Sequence, residues 1–307
     1  MTSFDIEHEL QRLRATVDDS LQYADGANMQ IAFFGGSFTG IEPDRMKALL
    51  KCAYDYVKTG SVAGIRLSTR PDYINSQIID LLKEHGVTNI ELGMQSTDDD
   101  VLRASGRGHG KQVCFDSAKL ITESGITLGG QMMIGLPMSN VEKELQTTKD
   151  IIAMGATEAR IYPTVVFKDT PLYISTIEGK YKPITNDEAV ERSASCLALF
   201  KNAGINVLCV GLHSSDELNN AAFGAKHPSI GEMTYSRLAY DEIVSAIGNC
   251  ETNNKTLKIF VPYGKESIAS GQKAENKKKL SEKYAFKNVR IYGTDIDSIK
   301  VKIEAEG

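Results

Sequence analysis

The chain has 307 residues, of which 41% are hydrophobic and 24% are charged, a composition that argues against global disorder. No apolar run approaches the ~18–20 residues that cross a bilayer, and the first residues lack a secretory signal pattern, so we expect a cytoplasmic protein without membrane contact. The net charge of −5 argues against a general binder of polyanions, yet residues 255–307 hold 12 basic against 7 acidic residues, which indicates a separate basic unit.

The cysteines are spaced far apart along the chain. They are Cys52, Cys114, Cys196, Cys209 and Cys250. No Cys-x2-Cys or Cys-x3-Cys pair occurs, so local spacing offers neither a zinc ribbon nor an iron–sulfur site. An odd number of cysteines without a secretion signal also argues against a disulfide framework. We therefore expect reduced and mostly buried thiols.

The predicted elements alternate between helices and short apolar strands. An amphipathic helix over 6–21 comes first, and six strands follow, at 31–34, 65–69, 89–95, 127–134, 159–167 and 205–210. The helices between them are predicted at 43–57, 76–84, 112–124, 141–154 and 187–203, with Pro43 as the first helical residue and glycines such as Gly86 as stops. Beyond about residue 234 the pattern changes to a long helix, followed by strand-like runs at 255–262 and 288–302 around a lysine-rich helix.

Strands that alternate with crossover helices form parallel sheets, which predicts an α/β fold. We expect a partial (β/α)6 TIM-like barrel over residues 1–232 that is missing its first strand, and a small α+β C-terminal extension over 233–307. A doubly wound sheet shares the same alternation and stays open as the alternative. An unpaired strand edge near 31–34 would favour self-association of the chain.

The ends of the predicted strands carry glycine, hydroxyl or amide residues, and ligands of parallel sheets bind at these ends. Gly35-Gly36 would let a ligand approach the main chain closely, with a tight turn as the alternative. The sixth predicted strand ends in Gly211-Leu212-His213-Ser214. Arg107 lies in a glycine-containing segment and suits a carboxylate or a phosphate, with a solvated loop arginine as the alternative.

Three further groups of charged residues have simpler interpretations. His109, His213 and His227 lack metal-ligand spacing, so we expect surface or capping histidines. Asp98-Asp99-Asp100 is interpreted as a charge cluster at a helix N-terminus. Lys277-Lys278-Lys279 fits a solvated helix face, with weak nucleic-acid contact as the sharper alternative.

Five of the strand ends carry motifs in a recognisable order. These motifs are Phe-Phe-Gly-Gly-Ser-Phe-Thr-Gly at 33–40, Leu-Ser-Thr-Arg-Pro-Asp at 67–72, Glu-Leu-Gly-Met-Gln-Ser at 91–96 with Arg-Gly-His at 107–109, Met-Met-Ile-Gly-Leu-Pro at 132–137, and Arg-Ile-Tyr-Pro-Thr at 160–164. In this order they resemble radical S-adenosylmethionine (SAM) proteins. The branch is the one related to the catalytic subunit of Elongator and to oxygen-independent coproporphyrinogen oxidase-like proteins. The resemblance covers residues 5–232.

The resemblance implies a set of SAM-binding residues at these ends. They are Gly35, Gly36, Ser37, Thr39, Ser68, Thr69, Arg70, Gln95, Arg107, Gln131, Met133, Tyr162 and Pro163. It implies that backbone carbonyls at 35–37 receive the amino group of SAM. It also implies that Gln95 and Arg107 orient the ribose and the methionine carboxylate, and that Tyr162 and Pro163 flank the adenine.

The chemistry that the resemblance implies is reductive cleavage of SAM by a 4Fe-4S cluster, which gives a 5′-deoxyadenosyl radical that abstracts hydrogen from a substrate. In the family a Cys-x3-Cys-x2-Cys motif holds the cluster, and this sequence contains neither that motif nor the strand before it. Three thiolates are needed so that the fourth iron can chelate SAM. We therefore expect a radical SAM protein that is inactive alone.

Two other functions stay open at this point. One is a non-catalytic scaffold that binds SAM or a partner protein. The other is RNA binding through the basic tail at 255–307, by analogy with the action of Elongator on tRNA. No motif names the substrate.

Overall fold

The computed structural model describes residues 6–24, 28–212 and 216–305, so His213 and Ser214 lie outside the described residues. Its α-helices are α1 Ile6–Leu21, α2 Pro43–Lys58, α3 Ser76–Glu84, α4 Asp99–Ala104, α5 Lys111–Glu123, α6 Val141–Ala153, α7 Pro171–Ile177, α8 Asn186–Asn202, α9 Asp216–Asn219, α10 Ile230–Ile247, α11 Glu266–Ser270 and α12 Glu275–Tyr284. Its strands are β1 Gln30–Phe33, β2 Gly64–Thr69, β3 Val87–Gln95, β4 Thr127–Ile134, β5 Glu158–Pro163, β6 Val165–Val166, β7 Asn206–Val210, β8 Phe223–Gly224, β9 Thr256–Pro262, β10 Asn288–Thr294 and β11 Lys300–Glu304.

The central sheet confirms the predicted half-barrel. Its strand order is β1-β2-β3-β4-β5-β7, and the pairs from β1 to β4 are parallel, with Phe33 opposite Leu67 and Thr69 opposite Leu92. Each neighbour in the sheet is also the next large strand along the chain. This order differs from a doubly wound sheet, in which the order reverses at a switch point near the middle.

The helix boundaries follow the sequence signals closely. Pro43 is the first residue of α2, and the Glu42 side chain accepts hydrogen bonds from the backbone N–H groups of Asp44 and Arg45. Asp98 caps α4 in the same way, and Asp99 and Asp100 lie in its first turn. The interpretation of the three aspartates as a helix N-terminal cluster is confirmed.

The prediction of one strand over 159–167 is wrong. β5 ends at Pro163, and the two residues of β6 pair instead with β8 in antiparallel register. Proline has no N–H group to continue a ladder of hydrogen bonds, so the run is interrupted there. Glycine at position 224 permits this pairing, since a Cβ atom there would lie only 2.7 Å from the carbonyl oxygen of Thr164.

The prediction of one strand-like run over 288–302 is also wrong, because the run contains two strands. β10 lies parallel to β9 on one side, and β11 lies antiparallel to β9 on the other. The residues between them include Asp295, Asp297 and Ser298, which favour turns. The C-terminal sheet therefore has the order β10-β9-β11.

The two faces of the central sheet differ in chemistry. Ile65 and Leu67 of β2 and Ile90 and Leu92 of β3 are fully buried on the face that packs against helices. The alternate residues on the opposite face are polar: Arg66, Ser68, Asn89 and Glu91. Strands buried on both faces are usually apolar throughout, so the polar face indicates a functional or ion-paired interior.

The described residues fall into two compact units, one within Met1–Arg160 and Phe200–Leu208, and the other within Ile161–Leu199 and Cys209–Gly307. In the second unit the C-terminal sheet packs on α10 and α12 through a core that includes Ile243, Leu257, Ile259 and Leu280. The boundary at residue 232 stays a prediction. None of the described helices combines the length and the apolar character that a membrane span requires.

Candidate functional site

The carboxyl ends of β1 and β2 leave an open stretch of main chain. Gly35 has a φ of 102°, in the left-handed region that favours glycine, and a Cβ atom at Gly35 or Gly36 would meet no other atom within 4 Å. The Ser68 hydroxyl donates a hydrogen bond of 3.3 Å to the carbonyl oxygen of Gly36, and that oxygen keeps a second lone pair. The half-buried Ser37 follows. A ligand can therefore approach the backbone here.

Thr39 and Thr69 hold these two strand ends together. Their hydroxyl oxygens lie 2.6 Å apart, and the Thr39 hydroxyl also donates to the carbonyl oxygen of Tyr73 at 3.0 Å. Both threonines are buried. Their hydroxyls are thus engaged with neighbouring strand ends, which fixes the position of the glycine segment.

The ends of β3 and β4 bring two glutamine amides together around Gly93. A Cβ atom at Gly93 would lie 3.1 Å from Nε2 of Gln95, 3.8 Å from Oε1 of Gln131 and 3.4 Å from the carbonyl oxygen of Thr69. Gln95 has a φ of 66°, which is uncommon for a residue with a side chain, and the register of β3 and β4 shifts at this point. Strained backbone of this kind is found more often at binding sites than elsewhere.

Arg107 presents an incompletely bonded guanidinium beside β4. Its Nη2 donates to Sδ of Met133 at 3.5 Å, and its buried Nε has no hydrogen-bond partner in the described part of the chain. Burial lowers the pKa of Arg107, and the charge of Arg70 lowers it further. Arg107 is half-buried, and a partly desolvated cation without an anionic partner is costly, so this site favours an anionic ligand.

Arg70, which the resemblance assigns to SAM, has a protein partner already. Its Nε and Nη2 donate to the two carboxylate oxygens of Asp72 at 2.9 and 2.6 Å, and its guanidinium lies over the ring of Tyr73. Its Nη2 would be 2.5 Å from a Cβ atom at Gly108, so it packs beside the segment that carries Arg107. Arg70 therefore lies just after the end of β2, in a bidentate ion pair with Asp72.

The expectation of a surface or capping histidine is wrong for His109, because its side chain is buried beside the main chain of β3. Its Nε2 lies 3.2 Å from the carbonyl oxygen of Met94, which can only accept, so Nε2 carries the proton. Burial lowers the pKa of His109, and the nearby charges of Arg70 and Arg107 add to this effect, against the opposing effects of Met94 and Asp72. The histidine therefore supports the Arg107 segment without adding charge.

Tyr162 and Pro163 end β5 and belong to the second compact unit. Tyr162 is half-buried and Pro163 is buried. In the same unit, Nδ1 of His227 accepts a hydrogen bond from the N–H of Ser229 at 3.1 Å, as expected for a capping histidine.

Reasoning from the sequence missed an ion-pair network on the polar face of the sheet. Glu91 is 1% exposed and accepts hydrogen bonds from Arg66 at 2.9 Å, from Arg160 at 2.5 and 3.1 Å, and from Gln131 at 2.9 Å. Arg66 also pairs with Glu158 at 2.8 and 3.0 Å. Burial raises the pKa of Glu91, but the donors, led by Arg160, outweigh burial and hold it below its usual value. Charged residues within otherwise apolar strands, such as Arg66 and Glu91, were the sequence signal that could have predicted this network.

A cavity of about 540 Å³ opens along β1 rather than over these strand ends. Its apolar lining comes from α1, β1 and α2 and includes Val17, Ile31, Phe33 and Leu49. It reaches Gly35, Gly36 and Ser37 but no predicted residue of β2, β3 or β4. It therefore follows the outer edge of the sheet.

The donors needed for an iron–sulfur cluster do not gather in the described part of the chain. Cys52, Cys114 and Cys196 are buried, Cys209 is half-buried and Cys250 is exposed. Burial raises the pKa of Cys114 to about 12, which opposes formation of a thiolate. No three His, Cys, Asp or Glu side chains in the described ranges form a metal-binding group. The described residues therefore do not fit an iron–sulfur cluster.

Comparison with protein families gives two matches. The model of the radical SAM superfamily matches residues 11–151, and that of the radical SAM C-terminal domain matches residues 156–240. The chain is similar to the tRNA uridine(34) acetyltransferase of Methanocaldococcus infernus, with 31% identity over 128 residues, or 41% of this chain and 24% of the relative. It is also similar to human Elongator complex protein 3, with 32% identity over 139 residues, or 44% of this chain and 25% of the relative. The match thus spans about a quarter of these relatives.

Two solved structures share the fold. The structure of Methanocaldococcus infernus Elp3 with an N-terminal deletion (1–46) has a TM-score of 0.66 at 21% identity, covering 76% of this chain and 59% of that one. Streptococcus suis SuiB has a TM-score of 0.51 at 11% identity, covering 67% of this chain and 43% of that one. These likenesses agree with the half-barrel described above.

Proposed function

Since the chain belongs to the radical SAM superfamily, in the branch that includes the Elongator catalytic subunit, we propose that it binds SAM where β1 to β4 end. The observation that carries the proposal is the buried Nε of Arg107, which has no hydrogen-bond partner in the described chain. Arg107 follows the carboxyl end of β3, and the open backbone of Gly35 and Gly36 follows the carboxyl end of β1. A zwitterionic amino acid group needs one anion-binding and one carbonyl-rich partner, and both are present there.

Each residue of the proposed site has a role suited to its chemistry. Arg107 would pair with the methionine carboxylate, and the carbonyl groups of Gly35 and Gly36 would accept hydrogen bonds from the amino group. Gln95 and Gln131 would meet the ribose hydroxyls through their amides. Thr39, Ser68 and Thr69 would keep the glycine segment in place, since their hydroxyls already bond to strand ends.

The described residues do not supply the ligands for a 4Fe-4S cluster that cleaves SAM. A cluster that chelates SAM requires three thiolates, and the cysteines of this sequence are scattered and mostly buried. We therefore propose that the chain binds and orients SAM and does not cleave it alone. Visible absorbance after anaerobic iron–sulfur reconstitution distinguishes this function from that of a complete enzyme, because a bound cluster would contradict it.

Calorimetric titration with SAM tests the proposed site. We expect heat of binding from the unchanged chain and a loss of affinity of about tenfold or more in Gly35→Val, because valine at a φ of 102° is strained and fills the open space. Gly60→Val is the matched control, since Gly60 also has a positive φ in open surroundings but lies after α2. Absence of heat from the unchanged chain, or equal affinity of Gly35→Val, would refute the SAM site.

RNA is the proposed substrate class. Among the similar proteins, the name tRNA uridine(34) acetyltransferase refers to an enzyme that acts on tRNA. The local excess of basic residues at 255–307 supplies a surface that could hold the phosphates. We propose that this region contacts tRNA.

We also propose that the chain self-associates through the edge of β1. Among the described strands β1 pairs only with β2, and the cavity along it is lined with apolar side chains. Light scattering should show dimers or larger species at high concentration. Fewer should form with Ala32→Lys, which places a charge on β1, than with Ala63→Lys at an exposed position before β2. A monomer at all concentrations would contradict this proposal.

A further inference from the structure

The outer face of the C-terminal sheet carries a stacked pair of aromatic rings. Leu257, Ile259 and Val261 of the central strand β9 are fully buried in the core, so the alternate residues of β9 project to the opposite face. One of them, Phe260, lies in register with Tyr292 of β10. Their ring centroids are 5.6 Å apart with an interplanar angle of 23°, and Tyr292 is 37% exposed.

Basic side chains surround these rings on the same face. Arg290 of β10 and Lys302 of β11 are both in register with Lys258, which forms a row of three cations across the sheet. Lys300 of β11 is in register with Phe260, so it lies in the same cross-strand row as the two aromatic residues. The sheet face therefore presents a flat aromatic surface beside a basic row.

One acidic residue shares this face with the four basic ones. The Glu304 carboxylate contacts Nζ of Lys258 at 2.6 Å and Nζ of Lys302 at 2.9 Å. The acidic residues Asp295 and Asp297 belong to the turn between β10 and β11, outside the paired rows. The face keeps an excess of positive charge, unlike the chain as a whole at −5.

This combination fits a single-stranded nucleic acid. Unpaired bases stack on aromatic side chains of a sheet, and neighbouring lysine and arginine side chains pair with the phosphates. A partner bound through charge alone would make no contact that requires the two stacked rings. We propose that the face formed by Lys258, Phe260, Arg290, Tyr292, Lys300 and Lys302, the β9–β10–β11 face, binds single-stranded RNA. This inference deepens the RNA part of the proposed function and does not depend on SAM binding.

Fluorescence anisotropy with a labelled single-stranded RNA of about 12 nucleotides tests the aromatic part of the proposal. In the full chain, Tyr292→Ala and the double substitution Phe260→Ala/Tyr292→Ala should weaken binding, the latter on the order of tenfold or more, because stacking is lost. Tyr263→Ala is the matched control, since Tyr263 is 71% exposed but follows the end of β9 and contacts the other side of Gly293. It should bind as the unchanged chain does.

The salt dependence of RNA binding tests the basic row. For single strands, the slope of log K against log salt changes by about 0.7 for each phosphate contact. Lys302→Ala should therefore reduce the slope by about 0.7, while the aromatic substitutions leave it unchanged. Lys278→Ala on α12, away from this face, should leave it unchanged too. Lys302 lies on the surface, so its replacement should leave the fold intact. The salt dependence of Lys302→Ala therefore tests the RNA-binding face even if Phe260→Ala perturbs folding.

Several results would overturn the assignment. RNA binding that survives the double substitution would refute the face while leaving RNA as a partner. An equal loss with Tyr263→Ala or Lys278→Ala would indicate nonspecific attraction, and equal affinity for duplex RNA or for a DNA strand of the same sequence would refute single-stranded RNA as the ligand. Heat of SAM binding without any RNA binding would refute this inference together with the proposed RNA contact and leave the SAM site standing. RNA binding without heat from SAM would refute the SAM site alone.

Discussion

Replacement of Glu91 by alanine is expected to lower the free energy of unfolding by about 3–5 kcal/mol. Glu91 is 1% exposed and lies between Arg66 and Arg160, so its removal leaves two guanidinium groups buried with less compensation. Urea unfolding monitored by circular dichroism measures the change. Glu123→Ala is the control, since the Glu123–Lys119 pair is exposed and should contribute less than about 0.5 kcal/mol.

The pH dependence of stability gives a second measure of the same network. The folded-state pKa of Glu91 lies below its unfolded value, so its contribution is present above the unfolded pKa of about 4.3 and is lost as pH falls through the folded pKa. Glu91→Gln should therefore reduce the loss of stability in acid. Unchanged stability of Glu91→Ala at neutral pH would show that the network contributes little.

The network also bears on the proposed ligand site. The Arg160 guanidinium that Glu91 holds lies over the ring of Phe34 at 5.3 Å, and Phe34 precedes Gly35 directly. Gln131, which donates to Glu91, has its other amide atom near Gly93. A loss of Glu91 is thus expected to disturb the strand ends as well as the interior.

Replacement of Arg107 by alanine should weaken SAM binding by about 10- to 100-fold, because a charge-assisted pair with the carboxylate is lost. Calorimetric titration measures this affinity. The SAM affinity of Arg107→Lys should lie between that of the unchanged chain and that of Arg107→Ala, since lysine keeps the charge but not the planar pair of donors. The control is Arg70→Ala, whose guanidinium is engaged with Asp72 and should contribute much less to affinity.

Stability without ligand separates binding by Arg107 from a structural role. Burial and the charge of Arg70 both disfavour the charged form of Arg107. Removal of that cation should therefore leave the ligand-free protein as stable as before or more stable, while SAM no longer raises its melting temperature. A destabilised Arg107→Ala variant with unchanged SAM affinity would show that this arginine serves the fold alone.

The sequence by itself determined the succession of elements and where they stop. Pro43 and the three aspartates from Asp98 mark helix starts, and alternation of apolar strands with helices implies parallel pairing. Parallel pairing in turn places all carboxyl ends at one edge. The convergence of Gly36, Ser68 and Gln95 could therefore be predicted without coordinates.

Tertiary structure decided which partner each side chain meets. Thr39 bonds to Thr69, Arg70 to Asp72, and Glu91 to arginines 25 and 69 residues away, while Arg107 alone among the predicted cations keeps a buried atom without a partner in the described chain. Local periodicity records the face on which a residue lies, but cross-strand partners depend on register between distant segments. The same reason applies to the Phe260–Tyr292 pair, which depends on the register of β9 and β10.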